Sequence, residues 1–182
     1  MIRTKRLLMR PMEEEDRAWF VAQAASPVIM ARLGGPQDPA FASTRFDHLR
    51  GCQATHGFSF WLMVLRDGGE RVGICGLKLF DAPAAPALAG ALEMGWRLEP
   101  PFWGQGYARE AASATLDHAF GPARGERVYA ITNARNTASW GLMERLGMNR
   151  RRELDFLDPR YPPDDNPTIV YDIRAAQWPK SA

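Results

Sequence analysis

Alternation of apolar and polar positions is sharpest from Leu92 to Leu98, where Leu92, Met94, Trp96 and Leu98 alternate with Glu93, Gly95 and Arg97. A period of two predicts a half-buried strand with one largely polar face. Pro100 and Pro101 end it, Trp103-Gly104-Gln105-Gly106-Tyr107-Ala108 reads as a glycine turn, and the period then becomes helical. Ala108, Ala111, Ala112, Thr115, Leu116, Ala119 and Phe120 form a stripe of mostly small residues suited to close packing on a sheet. Upstream, Ile2 to Arg10 predicts a strand stopped by Pro11. A helix follows, with Glu13 to Asp16 at its start and Trp19, Phe20 and Ala24 on its buried side. Asp38 predicts the cap of a second helix that carries Phe41, Phe46 and Leu49 toward Gly57. Phe58 to Leu65 and Arg71 to Phe80 read as antiparallel strands joined at Asp67-Gly68-Gly69, and Ala82 to Gly90 as an Ala/Pro-rich excursion. Downstream come a strand over Arg127 to Asn133 and a three-turn helix capped by Asn136 and ended by Gly147. A strand over Arg150 to Leu157, a polar loop over Asp158 to Asn166 and a closing strand over Thr168 to Arg174 complete the pattern.

The strand, glycine turn and helix at 92–120 together make a seat for an anion. N-H groups at a helix start have no intrahelical acceptor, the helix dipole adds partial positive charge, and glycine removes the Cβ that blocks an approaching oxygen. Two common phosphate-binding patterns do not fit. A Walker loop requires Gly-Lys-Ser/Thr, but Gly106 is followed by Tyr107 and Ala108; a dinucleotide fingerprint begun at Gly104 requires Gly or Ala where Arg109 stands.

The stretch Glu93-Met94-Gly95-Trp96, with Pro-Pro-Phe-Trp-Gly-Gln-Gly-Tyr-Ala-Arg-Glu-Ala after it, resembles the acetyl-CoA motif of the GNAT superfamily of N-acetyltransferases, in particular its RimJ/RimL-like branch. That family's pyrophosphate loop, Gln/Arg-x-x-Gly-x-Gly/Ala, maps onto Trp103, Gly106 and Ala108, with Trp103 departing at the first position. Asn136-Thr137-Ala138-Ser139, ending in Arg145-Leu146-Gly147-Met148, resembles the second cofactor element, with Met148 in place of an aromatic. The resemblance runs over nearly the whole chain. It implies a mixed α/β (α+β) GNAT fold: one domain over 1–182, with a predominantly antiparallel, splayed sheet of about seven strands and helices on both faces.

The implied activity is transfer of acetyl from acetyl-CoA to a primary amine, on a protein N-terminus or a small molecule, by direct attack and without a metal. Such a reaction must remove a proton from the amine, stabilise the carbonyl oxygen and protonate the thiolate. By position, the backbone of Trp96 and Leu98 inherits contact with the pantetheine arm and thioester carbonyl. The turn Trp103, Gly104, Gln105, Gly106, Tyr107 and Ala108 inherits the diphosphate. Asn136 is expected both to cap its helix and to touch pantetheine, and Arg109, Arg135 and Arg145 are candidates for the CoA phosphates. Glu93 is the candidate base, with proton removal through water or an ordinary surface carboxylate as alternatives. The family's acid is often a Tyr, here replaced by Met143. Resemblance to the RimJ/RimL-like branch implies that the Ser139 hydroxyl, one turn into its helix, contacts the CoA sulfur and is the candidate acid, unless it serves only in the cap.

Composition narrows the remaining classes. At 182 residues and 46% hydrophobic content, the chain can close one substantial core. Its 23 basic and 21 acidic residues give a net charge of +2, so neither nucleic acid nor an anionic membrane is an expected partner. Cys52 and Cys75 make neither a disulfide framework nor a zinc spacing, and the basic N-terminus does not read as a signal peptide, so a cytoplasmic location is expected. His48, His56 and His118 are expected at the surface, and Trp19, Phe58, Phe60 and Trp61 in the core. The loops Ser26 to Asp38, Ala82 to Gly90 and Asp158 to Asn166 are expected to meet the acceptor, with Asp158, Asp164 and Asp165 able to attract a cation. The expected assembly is a monomer or homodimer. A second reading keeps the acyl-CoA site as a non-catalytic sensing module; a third, nucleotide binding, is disfavoured by the failed fingerprints.

Overall fold

Within the apolar run at 58–65, Phe60–Leu65 forms a strand whose first four positions are buried on both faces, which is why it lacks alternation. The computed structural model describes residues 1–159 and 161–179. Its strands are β1 (Ile2–Arg3), β2 (Leu7–Arg10), β3 (Phe60–Leu65), β4 (Arg71–Leu79), β5 (Leu92–Leu98), β6 (Arg127–Asn133), β7 (Asn149–Arg150) and β8 (Thr168–Arg174). The helices are α1 (Arg17–Ala25), α2 (Pro27–Met30), α3 (Pro39–His56), α4 (Tyr107–Phe120) and α5 (Thr137–Arg145). These eight strands make one sheet in the order β1-β2-β3-β4-β5-β6-β8-β7. Every neighbouring pair is antiparallel except β5 and β6, which are parallel and joined through α4.

Each sheet face has its own core. Trp61, Met63, Cys75, Leu77 and Met94 pack with Ala111, Ala112, Leu116 and Ala119 of α4. On the opposite face, Phe60, Leu62 and Ile74 meet Phe20 of α1 and Phe46 and Leu49 of α3. Alanines on α4 let the helix lie close to the strands, as its sequence predicts. At the start of α3, Asp38 accepts hydrogen bonds from the Ala40 and Phe41 N-H groups at 2.9 and 3.1 Å. Gly57, at φ +76°, ends that helix in the left-handed conformation glycine tolerates.

Several expectations are corrected. The first strand is two, because Thr4 turns the chain by donating its N-H to Leu7 O at 2.9 Å, and β1 folds back on β2. The predicted strand from Arg150 to Leu157 stops at Arg150. Arg150 Nη1 reaches Asp155 at 2.7 Å and the Asp155 carboxylate accepts the Val170 N-H at 3.2 Å, so a side chain takes the place of a strand partner. Of the large apolar residues carried by α3, Phe46 and Leu49 are buried and Phe41 is 58% exposed. His118 is half-buried and stands edge-on to Trp61 at 5.0 Å; desolvation, then the chain's N-terminal charge, pulls its pKa down. The polar face of β5 is not open: Glu93 and Arg97 are each only 8% exposed beneath the helical layer.

An ion cluster ties the start of α1 to the sheet. The Asp16 carboxylate is fully buried and accepts from Arg10 at 2.6 Å and Arg71 at 3.0 Å. Burial alone pushes its pKa up, but hydrogen bonds from Arg10, the Glu13 N-H and Arg71 together hold it below its ordinary value. A depressed carboxylate stabilises the fold above its unfolded pKa and loses that contribution as pH falls through the folded one. Asp16→Ala is expected to cost about 2–3 kcal/mol, less than a fully buried pair because both arginines retain access to water. In thermal melts across pH, the Tm gap between wild type and variant should be full near neutrality and shrink below 3.8, the ordinary value.

Candidate functional site

The site begins where two strands separate. β5 and β6 pair only at Leu92 with Val128, Glu93 with Tyr129 and Met94 with Ala130, although both strands continue beyond. The Glu99 N-H turns toward β4, bonding Val72 O at 2.9 Å. Because amide direction alternates along a strand, the Trp96 and Leu98 N-H groups face the other edge, from which β6 has departed. Trp103 leans into the same gap and donates its indole N-H to Leu98 O at 2.9 Å.

The start of α4 opens beside this gap. Gly104 and Gly106 have φ of +71° and +81°, in the left-handed region. No side chain caps the helix, and its first intrahelical bond runs from the Glu110 N-H to Gly106 O at 3.1 Å. The N-H groups of Tyr107, Ala108 and Arg109 precede that bond, so they are available to an anion. A cavity of about 540 Å³ joins this helix start to the strand gap. Of the residues singled out in the sequence, Trp96, Leu98, Trp103, Gly104, Gly106, Tyr107, Ala108, Arg109, Asn136, Ser139 and Arg145 line it. Gln105 does not; its amide folds back to donate to Pro101 O at 2.6 Å. Arg135 also lies outside, paired with Asp164 at 3.2 Å.

Sequence reasoning missed the brace behind the turn. Arg6, in the β1–β2 turn, donates from Nη1 to Gln105 O at 2.9 Å and from Nε to Glu110 at 2.7 Å, and its guanidinium lies 4.1 Å from the Tyr107 ring centre. Glu110 also accepts from the Thr4 hydroxyl and the Arg6 N-H. Burial raises the Glu110 pKa, but these bonds outweigh it and hold the carboxylate ionised. Only the first-turn position of Glu110 could have signalled this, since its partners lie about a hundred residues earlier.

A second cavity of about 130 Å³ adjoins the first, and Leu33, Trp96, Arg97 and Ser139 line both. Glu93 lines this smaller chamber, with its carboxylate 3.0 Å from Lys78. Desolvation raises its pKa while Lys78 pulls it down, and the net direction is upward. Asn136 Oδ1 accepts the Ser139 N-H at 3.4 Å, so the cap uses the Ser139 backbone; its hydroxyl makes no hydrogen bond among the described residues. Met143 is buried at 2% exposure. Of the loops expected near an acceptor, the 26–38 segment contributes Val28, Ile29 and Arg32 to the larger cavity, and Met30 and Gln37 to the smaller. Tyr161 of the 158–166 loop lines the chamber; Asp158 and Asp165 are buried, and 82–90 lines neither cavity. Among the described residues no group of three His, Cys, Asp or Glu side chains is placed to hold a metal, and no helix is long and apolar enough to cross a membrane.

Comparison with known proteins supports the fold. A family model described as acetyltransferase (GNAT) domain matches residues 6–149. The Bacillus subtilis (strain 168) protein named uncharacterized N-acetyltransferase YnaD is 36% identical over 151 residues, covering 82% of each chain. FsC-acetyl coenzyme A-N(2)-transacetylase of Aspergillus fumigatus is 27% identical and covers 97% of this chain and 77% of its own. Among solved structures, the acetyltransferase from Agrobacterium tumefaciens str. C58 superposes with a TM-score of 0.77 at 29% identity, over 95% of this chain and 93% of that one.

Arg6→Ala removes the brace behind the turn, and Arg6 itself does not line the cavity. It is expected to weaken acetyl-CoA binding about tenfold, or roughly 1.4 kcal/mol, while leaving the far-UV spectrum unchanged; isothermal titration calorimetry measures the affinity.

Proposed function

Because the chain belongs to the GNAT acetyltransferase domain family, we propose that it transfers acetyl from acetyl-CoA to a primary amine by direct attack, in the manner of the RimJ/RimL-like branch. The observation that carries this reading is the union, in one cavity, of an uncapped helix start and the gap between β5 and β6. The residues present suit the coenzyme: N-H groups at 107–109 for its diphosphate, Arg109 and Arg145 for further phosphate charge, and an edge of unpaired strand N-H groups for its arm. Acetyl-CoA supplies the acetyl group as a thioester.

The reaction joins the amine nitrogen to the acetyl carbonyl carbon and breaks the carbon–sulfur bond, so one proton leaves the nitrogen and one is taken up by the sulfur. Trp96 and Leu98 N-H groups face the gap where the carbonyl oxygen gathers charge, and backbone donors need little reorganisation there. Glu93 takes the amine proton, directly or through water. Its burial and raised pKa support a base of this strength, and Lys78 keeps the carboxylate oriented. The Ser139 hydroxyl, on the wall shared by the two cavities, contacts the sulfur and returns a proton to it.

Glu93→Gln is expected to lower kcat/KM by about a hundredfold or more while leaving the calorimetric Kd for CoA nearly unchanged. In wild type, kcat/KM should rise with pH through the raised ionisation of Glu93, because the base must be unprotonated; the variant should lack that limb. Retention of the wild-type rate and profile would assign proton removal elsewhere. For Ser139→Ala, a drop of about tenfold in kcat with little change in amine KM is expected, measured by thiol release.

A further inference from the structure

The smaller chamber carries more unmet polarity than any other part of the interior. Buried side-chain atoms without a hydrogen-bond partner among the described residues are Gln37 Oε1, Ser59 Oγ, Arg97 Nη2 and Thr132 Oγ1, and all but Ser59 belong to residues lining this chamber. Arg97 is the most telling. Its Nε donates to Gln23 Oε1 at 2.7 Å and its Nη1 approaches Met30 Sδ at 3.6 Å, yet no carboxylate among the described residues forms an ion pair with it. Desolvation, with help from the nearby charge of Arg45, lowers its pKa to about 9. Glu99, which accepts from the Gln23 amide, offsets this only in part and does not pair with Arg97 directly. A buried guanidinium without a directly paired anion is costly, so its retention points to a charge that arrives from outside.

We propose, building on the acetyl-transfer reading, that the acceptor is a compact amine bearing a carboxylate, of the small amino-acid class, whose carboxylate is held by Arg97 with Arg45 behind it. Arg45 also lines the chamber and has no ion-pair partner among the described residues, so two arginines face one carboxylate there, Glu93, which is already compensated by Lys78. That balance attracts an anion and repels a polycation. Glu93, Gly95 and Arg97 share one face of β5, with Glu93 and Arg97 about 13 Å apart along the strand. Gly95, between them, lets the Phe60 ring pack against the strand, since a Cβ there would lie 3.0 Å from Phe60 Cζ, and that ring floors the chamber between its two charged ends. A bound amino acid therefore has its carboxylate at the Arg97 end. Its amine faces Glu93, with Gln37 Oε1 and Thr132 Oγ1 as acceptors for the remaining N-H groups. A protein N-terminus has an amide where this carboxylate would sit and is disfavoured.

The test measures thiol release from acetyl-CoA by the full chain with glycine, alanine and β-alanine against glycinamide, ethylamine, spermidine and an Ala-initiated peptide. A preference of about 30-fold or more in kcat/KM for a carboxylate-bearing amine over its amide or decarboxylated analogue is expected, because removing one partner of a buried charge pair leaves the other unpaired. Arg97→Gln, and independently Arg45→Gln, is expected to reduce that preference to within a few-fold; for Arg45→Gln, at a residue that lines only the smaller chamber, calorimetry is expected to show unchanged CoA affinity. Equal or better turnover of glycinamide, spermidine or the peptide overturns the carboxylate proposal but leaves acetyl transfer standing. Failure to acetylate any amine, or to bind CoA, overturns the underlying reading and this proposal with it.

Discussion

Strand separation is the constraint on which the site depends. Parallel pairing of β5 with β6 lasts for three residue pairs and then ends, although neither strand does. Backbone groups that lose their ladder inside a protein must find other partners. At Leu98 the carbonyl finds the Trp103 indole, while the N-H groups of Trp96 and Leu98 face the cavity. An edge that would be a defect in a continuous sheet thereby becomes a row of fixed donors. The helix that follows β5 starts at the same opening, so one connection delivers both anion seat and donor row.

Holding that connection in place falls to residues far away in sequence. A first-turn carboxylate suits the helix dipole, yet an unpaired Glu110 would repel the anion the turn is shaped to receive. Arg6 resolves the conflict by pairing with Glu110, holding Gln105 O and covering the Tyr107 ring. The turn is thus fixed from behind while its N-H groups stay free in front.

β5 also carries two buried charges of opposite sign on its other face, and desolvation acts on both. It raises the pKa of Glu93 and lowers that of Arg97, bringing each toward its neutral form. Glu93 has a lysine in direct contact; Arg97 touches Gln23, a sulfur and the Phe20 ring, with the Glu99 carboxylate acting on it more weakly and without a direct ion pair. The asymmetry marks the two ends of one chamber as chemically different.

Local pattern was sufficient for what depends on neighbours in the chain. The change of period after Leu98, the two glycines of the turn, the Asn136 and Asp38 caps and the small-residue stripe of α4 are short-range signals, and the elements they predict are present. The glycine turn and the family resemblance carried by these stretches together named many of the residues that line the larger cavity. What they could not supply was the second layer. Alternation in β5 reads Glu93 and Arg97 as a solvent face, because nothing within the strand says that helices from residues 17 to 56 cover it. The Arg6 brace, the Asp155 carboxylate that ends β7, and the convergence of Gln37, Arg45 and Thr132 on one chamber arise in the same way. Each joins segments distant in sequence, and only the packed chain decides which side chains meet and which of them lose their water.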